Sequence, residues 1–149
     1  MTAEEKQEVT AFLGEHTTLV LATRGDSGTA AAALFYAEDT GLNLYFLSEP
    51  TSEHIVNVSA CPEVSLVIAA DCQDWQQLRG VQIKGRCIVL KEEERARAEG
   101  VYLKKFPFVG ENPMLRRRVG ISGVYGVRPQ WIRLTDNRRG FSDKREWVL

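Results

Sequence analysis

The sequence predicts a mainly β fold, with six or seven mostly antiparallel strands closing into a small barrel and a few helices on its flanks. Three observations carry this expectation. Short runs rich in β-branched and aliphatic residues recur along the chain, at 17–24, 42–48, 63–71 and 81–90, and turn-forming residues bound them. Helical periodicity is confined to a few segments, chiefly the N-terminus and 91–106. No linker, repeat or low-complexity stretch divides the 149 residues. One domain, 1–149, therefore accounts for them, and a chain of this length buries roughly 70% of the surface its unfolded form exposes.

The elements follow in order. Thr2-Ala3-Glu4-Glu5 has the form of a capping box, and Val9, Phe12 and Leu13 follow at helical spacing before Gly14, a natural stop. TTLVLATR (17–24) is a strand ending in the turn Gly25-Asp26-Ser27-Gly28, after which TAAAALFYAED resumes an extended pattern. The alanines at 30–33 favour helix by propensity alone, but the turns on either side make the segment a strand. LNLYFLS (42–48) is the next strand, and Thr51 or Ser52 caps a helix ending near Cys61-Pro62. EVSLVIAAD and VQIKGRCIVL are strands joined by a polar loop. In the second, Val81, Ile83, Cys87 and Val89 share one face, Gln82, Lys84 and Arg86 share the other, and Gly85 marks a bulge or bend. Residues 91–106 form a helix with acidic residues first and lysines last, as the helix dipole favours. Asn112-Pro113 opens a second short helix stopped by Gly120, and the tail closes the sheet with one or two strands.

Composition narrows the function classes. A net charge of −1 gives no overall attraction to nucleic acid or anionic membrane. The apolar runs are far too short for a membrane span, and the polar, acidic first residues do not form a secretory leader, so the expected location is the cytoplasm. Cys61, Cys72 and Cys87 have neither disulfide nor zinc spacing and are read as small core or near-core residues. The charge is unevenly spread. Residues 1–75 hold two basic residues, Lys6 and Arg24, against twelve acidic ones, whereas residues 76–149 hold seventeen basic against eight acidic.

Few motifs carry chemistry. The glycines of GISGVYG have the wrong spacing for a dinucleotide turn, and no P-loop or G-x-S-x-G turn is present. His16 and His54 are the only histidines, each without an identifiable orienting partner. Lys104, Lys105 and Arg116 to Arg118 lack the aromatic pattern of an RNA-binding surface and read as a solvated or ion-paired face. What remains is LYFLSEPTSEH (44–54). Ser48 at a strand end, Thr51 and Ser52 at a helix start, and that helix's free N–H groups can form an anion pocket; a plain N-cap needs only one of the hydroxyls.

Taken in order, TAAAALFYAED, LYFLSEPTSEHIVNVSACPEVSLVI and RGVQIKGRCIVL resemble the pyridoxamine 5'-phosphate oxidase-like FMN-binding split-barrel proteins. The tail PQWIRLTDNRRGFSDKREW is similar to that of a small subfamily of this group ending in T-D-N-x-x-G-F. The resemblance implies a split β-barrel, FMN as cofactor, a homodimer with flavin at the subunit interface, and an oxidoreductase of unassigned substrate. The alternative is a non-enzymatic flavin or haem binding module. It also implies a site. Ser48, Thr51 and Ser52 stand at the phosphate, with Glu53 and His54 where two basic residues are usual. Arg79, Gly80, Val81 and Gln82 match the second flavin segment, Ala31, Ala32 and Ala33 leave room beside the ring, and Trp131 comes from the second subunit. No catalytic acid or base and no metal ligand is implied. A carboxylate at Glu53 facing a phosphate costs about 4 kcal/mol per charge pair at an effective dielectric near 20. The compensating cation is therefore sought in the second half, with Arg79 the first choice and Lys84 and Arg86 next.

Overall fold

A computed structural model describes residues 1–149. Its elements are α1 (Ala3–Glu15), β1 (Thr18–Gly25), β2 (Gly28–Phe35), β3 (Ala37–Glu38), β4 (Leu44–Ser48), α2 (Glu53–Ala60), β5 (Glu63–Ala69), β6 (Arg79–Val89), α3 (Glu92–Lys105), α4 (Pro107–Glu111), α5 (Pro113–Ile121), β7 (Gly123–Asp136) and β8 (Lys144–Val148). Single 3-10 turns lie at Trp75–Gln77 and Asn137–Arg139. Seven strands follow one another in the order β2-β1-β5-β6-β7-β4-β3, with antiparallel pairing throughout, and curl into a half-barrel.

The long strand β7 splits the barrel. One of its edges pairs with β6 from Tyr125 to Asp136, while the other pairs first with β4 (Gly123–Val127) and then with β8 (Trp131–Thr135). The change of neighbour falls at an irregularity where Gly85 faces Pro129 and Lys84 faces Trp131, leaving Gln130 as the extra residue. Pro129 has no N–H to contribute to a ladder, so it suits this position. Gly85 is required by close approach, because a Cβ there would collide with the Arg128 carbonyl oxygen. The bulge expected at Gly85 is thus the point where the sheet turns.

Alternation places the core inside the curl. Leu19 and Leu21 of β1, Leu66 and Ile68 of β5, Val81, Ile83 and Cys87 of β6, and Ile132 and Leu134 of β7 are buried, and the intervening residues of β1, β5 and β6 face outward. Val89 departs from the expected face and is half exposed, because β5 stops pairing at Arg86 and leaves the end of β6 uncovered. Helix α1, held by the Thr2–Glu5 capping box, packs Val9, Phe12 and Leu13 into this core. The 29–39 run breaks at Tyr36, whose buried hydroxyl donates to the Leu13 carbonyl at 2.7 Å; this separates β3 from β2. Helix α4 was not expected. It begins at Pro107 and carries Val109 into a second apolar cluster with Ala37, Tyr102, Phe106 and Val119, which seats α3, α4 and α5 beside β3 and β4. Cys87 is buried, Cys61 and Cys72 are half-buried, and none is bonded to another. No helix is long and apolar enough to cross a membrane.

Candidate functional site

The turn from β4 into α2 brings three side chains to one point. His54 Nε2 lies 2.7 Å from Ser48 Oγ and 3.2 Å from Ser52 Oγ, and the two hydroxyls are 3.0 Å apart. Ser52 Oγ also donates to the Glu49 carbonyl at 2.8 Å. Its proton is therefore committed, and Ser52, although it is the N-cap residue of α2, makes no capping bond. The first N–H groups of α2 stay without a side-chain partner, as helix starts do in the absence of a cap. Asn57 fixes this helix on β1 by donating to Thr23 Oγ1 at 3.1 Å. Gly25 makes room for the approach, because a Cβ there would overlap the Asn57 amide.

The electrostatics of the triangle centre on His54. Burial lowers its pKa below the usual histidine value, and the nearby Glu53 carboxylate opposes that shift. Glu53 itself is exposed, so it tunes His54 without crowding the hydroxyls. When neutral, the imidazole accepts from Ser48 or donates to it according to its tautomer; when protonated, Nε2 donates to Ser48 Oγ and frees the serine proton to point at an anion. The cation next to this turn is Arg118 of α5, whose Nη1 lies 3.3 Å from Oε1 of Glu49, the residue after Ser48.

The other expected site residues fall in two further places. Ala31 and Ala33 lie on the outward face of edge strand β2, opposite Ala22 and Val20 of β1, whereas Ala32 points to the other side and is half-buried. Gln82 continues the outward face on β6 and, with Val20, Ala22, Val67, Lys84 and Trp131, lines a shallow cavity of about 340 Å³. There the Trp131 ring lies between Lys84 and Arg133, each 4.9 Å from its centroid. Arg133 also donates to Gln82 at 3.2 Å.

Arg79, the first choice for the compensating cation, lies apart from the triangle within one subunit. It pairs with Glu15 at 3.2 Å and faces Asp136 at 3.3 Å, with its guanidinium 4.9 Å above the Phe12 ring. Ser48 pairs with Gly123 at the start of β7 and Arg79 with Asp136 at its end, so the strand's whole length separates them within one subunit. Arg79 instead balances a buried carboxylate, for Asp136 is 1% exposed and its bidentate bond to Arg138, helped by Arg79, holds its pKa down to about 2. The reserve choices are also separate from the triangle, since Arg86 pairs with Glu63 and Lys84 sits over Trp131. Val81 is fully buried and Gly80 has no side chain, so either can offer a ligand only main-chain groups. Thr51 is exposed and outside the triangle. The sequence reading placed Arg118 in a solvated or ion-paired face, which its bond to Glu49 bears out, but did not connect it with this turn.

A split antiparallel half-barrel with a hydroxyl-rich strand-to-helix turn and an open outer sheet face defines the class as the split-barrel proteins. The family model described as pyridoxamine 5'-phosphate oxidase matches residues 5–135, and the chain belongs to that family. It is 27% identical over 148 residues to a UPF0306 protein of Serratia proteamaculans, covering 99% of this chain and 97% of that one. Among solved structures, a conserved hypothetical protein of Mycobacterium tuberculosis matches with a TM-score of 0.77 at 22% identity, over 93% of this chain and 87% of that one. A haem binding protein from Mycobacterium smegmatis matches with a TM-score of 0.76 at 19% identity, over 99% of this chain and 58% of that one.

Proposed function

We propose that the protein binds FMN and acts as an FMN-dependent oxidoreductase, as a homodimer with the flavin between subunits. The observation that carries this reading is the Ser48–Ser52–His54 triangle at the uncapped start of α2. The Ser48 hydroxyl, free main-chain N–H groups and a titratable imidazole are a donor set suited to a phosphate. Bound FMN supplies the hydride and electron transfer. The chain's own residues bind and orient. The triangle holds the phosphate, and Ala31 and Ala33 leave clearance for a flat ring along β2, which packs against both β4 and α2. The partner subunit's Trp131 covers the ring and excludes water.

Haem is the second reading: His16 Nδ1 lies 2.8 Å from the Phe12 carbonyl oxygen, which leaves its Nε2 open to a metal, whereas His54 Nε2 is held by two serines. Purified protein should be yellow, release FMN on denaturation, and bind added FMN and riboflavin in titration. Ser48→Ala is expected to weaken FMN by about tenfold, the worth of one charge-assisted hydrogen bond, and to leave riboflavin unchanged. Absence of flavin binding in titration, or a Soret band in the isolated protein, overturns this reading.

A further inference from the structure

Beside the triangle, helices α3 to α5 leave an apolar pocket of about 240 Å³ against β2 and β4, lined by Phe35, Leu47, Tyr102, Phe108, Leu115 and Arg118. We propose that this is a substrate pocket for a small aromatic monocarboxylate, with Arg118 as its carboxylate anchor. The role as substrate pocket rests on the flavin reading; the ligand class stands on the pocket alone.

Its walls are aromatic and incompletely covered. Phe35 and Phe108 are 53% and 54% exposed, a large share for phenylalanines whose neighbour Phe106 is buried. Phe106 holds both in edge-to-face contact, at 5.6 Å to Phe35 and 6.0 Å to Phe108, and Tyr102 packs on it at 4.9 Å. Phenyl rings fixed this way present faces and edges to a further ring, the arrangement that aromatic groups favour. The volume lies below the range of drug-sized pockets, which limits the occupant to one or two rings.

Charge selects the polar end of the ligand. Arg118 is the one charged residue of the lining, and its partner Glu49 is two-thirds exposed, as is Arg118 itself. An exposed pair of this kind contributes little, so an incoming carboxylate can replace Glu49 at modest cost. Once Glu49 has been replaced, the single Arg118 guanidinium balances one negative charge and not two, which favours a monoanion over a phosphate ester. Burial raises the Tyr102 pKa, so its hydroxyl stays protonated as a neutral donor. Position completes the case. Phe35 follows Ala33 by two residues on the same face of β2, and Arg118 reaches Glu49, the residue after Ser48, so the pocket neighbours both the proposed ring wall and the turn of the phosphate grip.

Isothermal titration with 2-naphthoate and its neutral isostere 2-naphthamide, on protein with and without FMN, tests the assignment. The acid is expected to bind saturably and more tightly than the amide. Arg118→Gln should weaken the acid by about tenfold and leave the amide unchanged, as loss of a charge-assisted bond predicts. Glu49→Gln should tighten the acid, and Phe35→Ala should weaken both ligands. Failure of the acid to bind, equal binding of acid and amide, or indifference of the acid to Arg118→Gln overturns the pocket assignment. Loss of FMN binding with the naphthoate titration intact removes the flavin reading and leaves the ligand class standing, so the two failures are distinguishable.

Discussion

In the proposed FMN site it is His54, not a permanent cation, that would face the phosphate, and this changes how the phosphate would be held. A guanidinium is charged at every accessible pH; an imidazole whose pKa burial has lowered is mostly neutral at pH 7. A bound phosphate favours the protonated ring and raises its pKa, so binding takes up a proton. The charged groups facing His54 are few: Glu53 on its own helix favours the proton, and the Glu49–Arg118 pair on the preceding turn and α5 is close to neutral. FMN affinity is therefore expected to rise as pH falls through neutrality, until the phosphate itself begins to gain a proton near its second pKa of about 6. Riboflavin, with no phosphate, should bind equally across that range, and His54→Asn should flatten the FMN curve. Parallel FMN and riboflavin titrations at several pH values check this; a slope that survives in His54→Asn would assign the proton to another group.

At the scale of elements, the bulge in β6 and β7 is what turns an ordinary antiparallel pair into the corner of the half-barrel. Since a Cβ at Gly85 would meet main-chain atoms of Arg128 and Pro129 rather than a movable side chain, Gly85→Ala should cost about 2 kcal/mol, measured by urea unfolding. The cost should come with a weakened pairing of β8, whose neighbour on β7 begins one residue beyond the irregularity. This glycine was legible in the sequence because it interrupts a period-2 pattern, a local signal. So were the α1 capping box, the alternation of β6 up to Cys87, and the hydroxyl-rich turn after β4. The partners of the arginines were not. Arg79 is 64 residues from Glu15 and Arg118 is 69 from Glu49, and no spacing rule links residues so far apart. The resemblance matched Arg79 to the second flavin segment, and the register of β6 on β7 sets it beside Asp136, at the end of β7 opposite to Ser48. The site's donors were thus readable and its charges were not, because donors come from one turn while charges depend on how distant elements meet.

For the whole molecule, the open question is what covers the outer face of the sheet. Val20 and Val67 are 41% and 38% exposed there, beside Ala22, Ala31, Ala33 and the Trp131 ring, although β1 and β5 are inner strands with a neighbour on each side. A monomer gains nothing by leaving β-branched residues of inner strands in water, and the removal of apolar surface at roughly 25 cal/mol per Å² favours covering them. A second copy of the chain suits the face. The surface is continuous across β2, β1, β5, β6 and β7, and its charged members Lys84 and Arg133 already lie over Trp131 instead of projecting freely. If two subunits meet here, Ala31 and Ala33 lie at the seam, and a flavin against them is enclosed only in the dimer. Val67→Asp should then convert dimer to monomer in analytical ultracentrifugation and weaken FMN and riboflavin alike, because it removes the cover of the ring and leaves the phosphate grip intact. The contrast with Ser48→Ala, which acts on FMN alone, separates the two ends of the site. A monomeric wild-type protein, or a Val67→Asp monomer that retains full riboflavin affinity, would place the ring within a single subunit and leave this face to another partner.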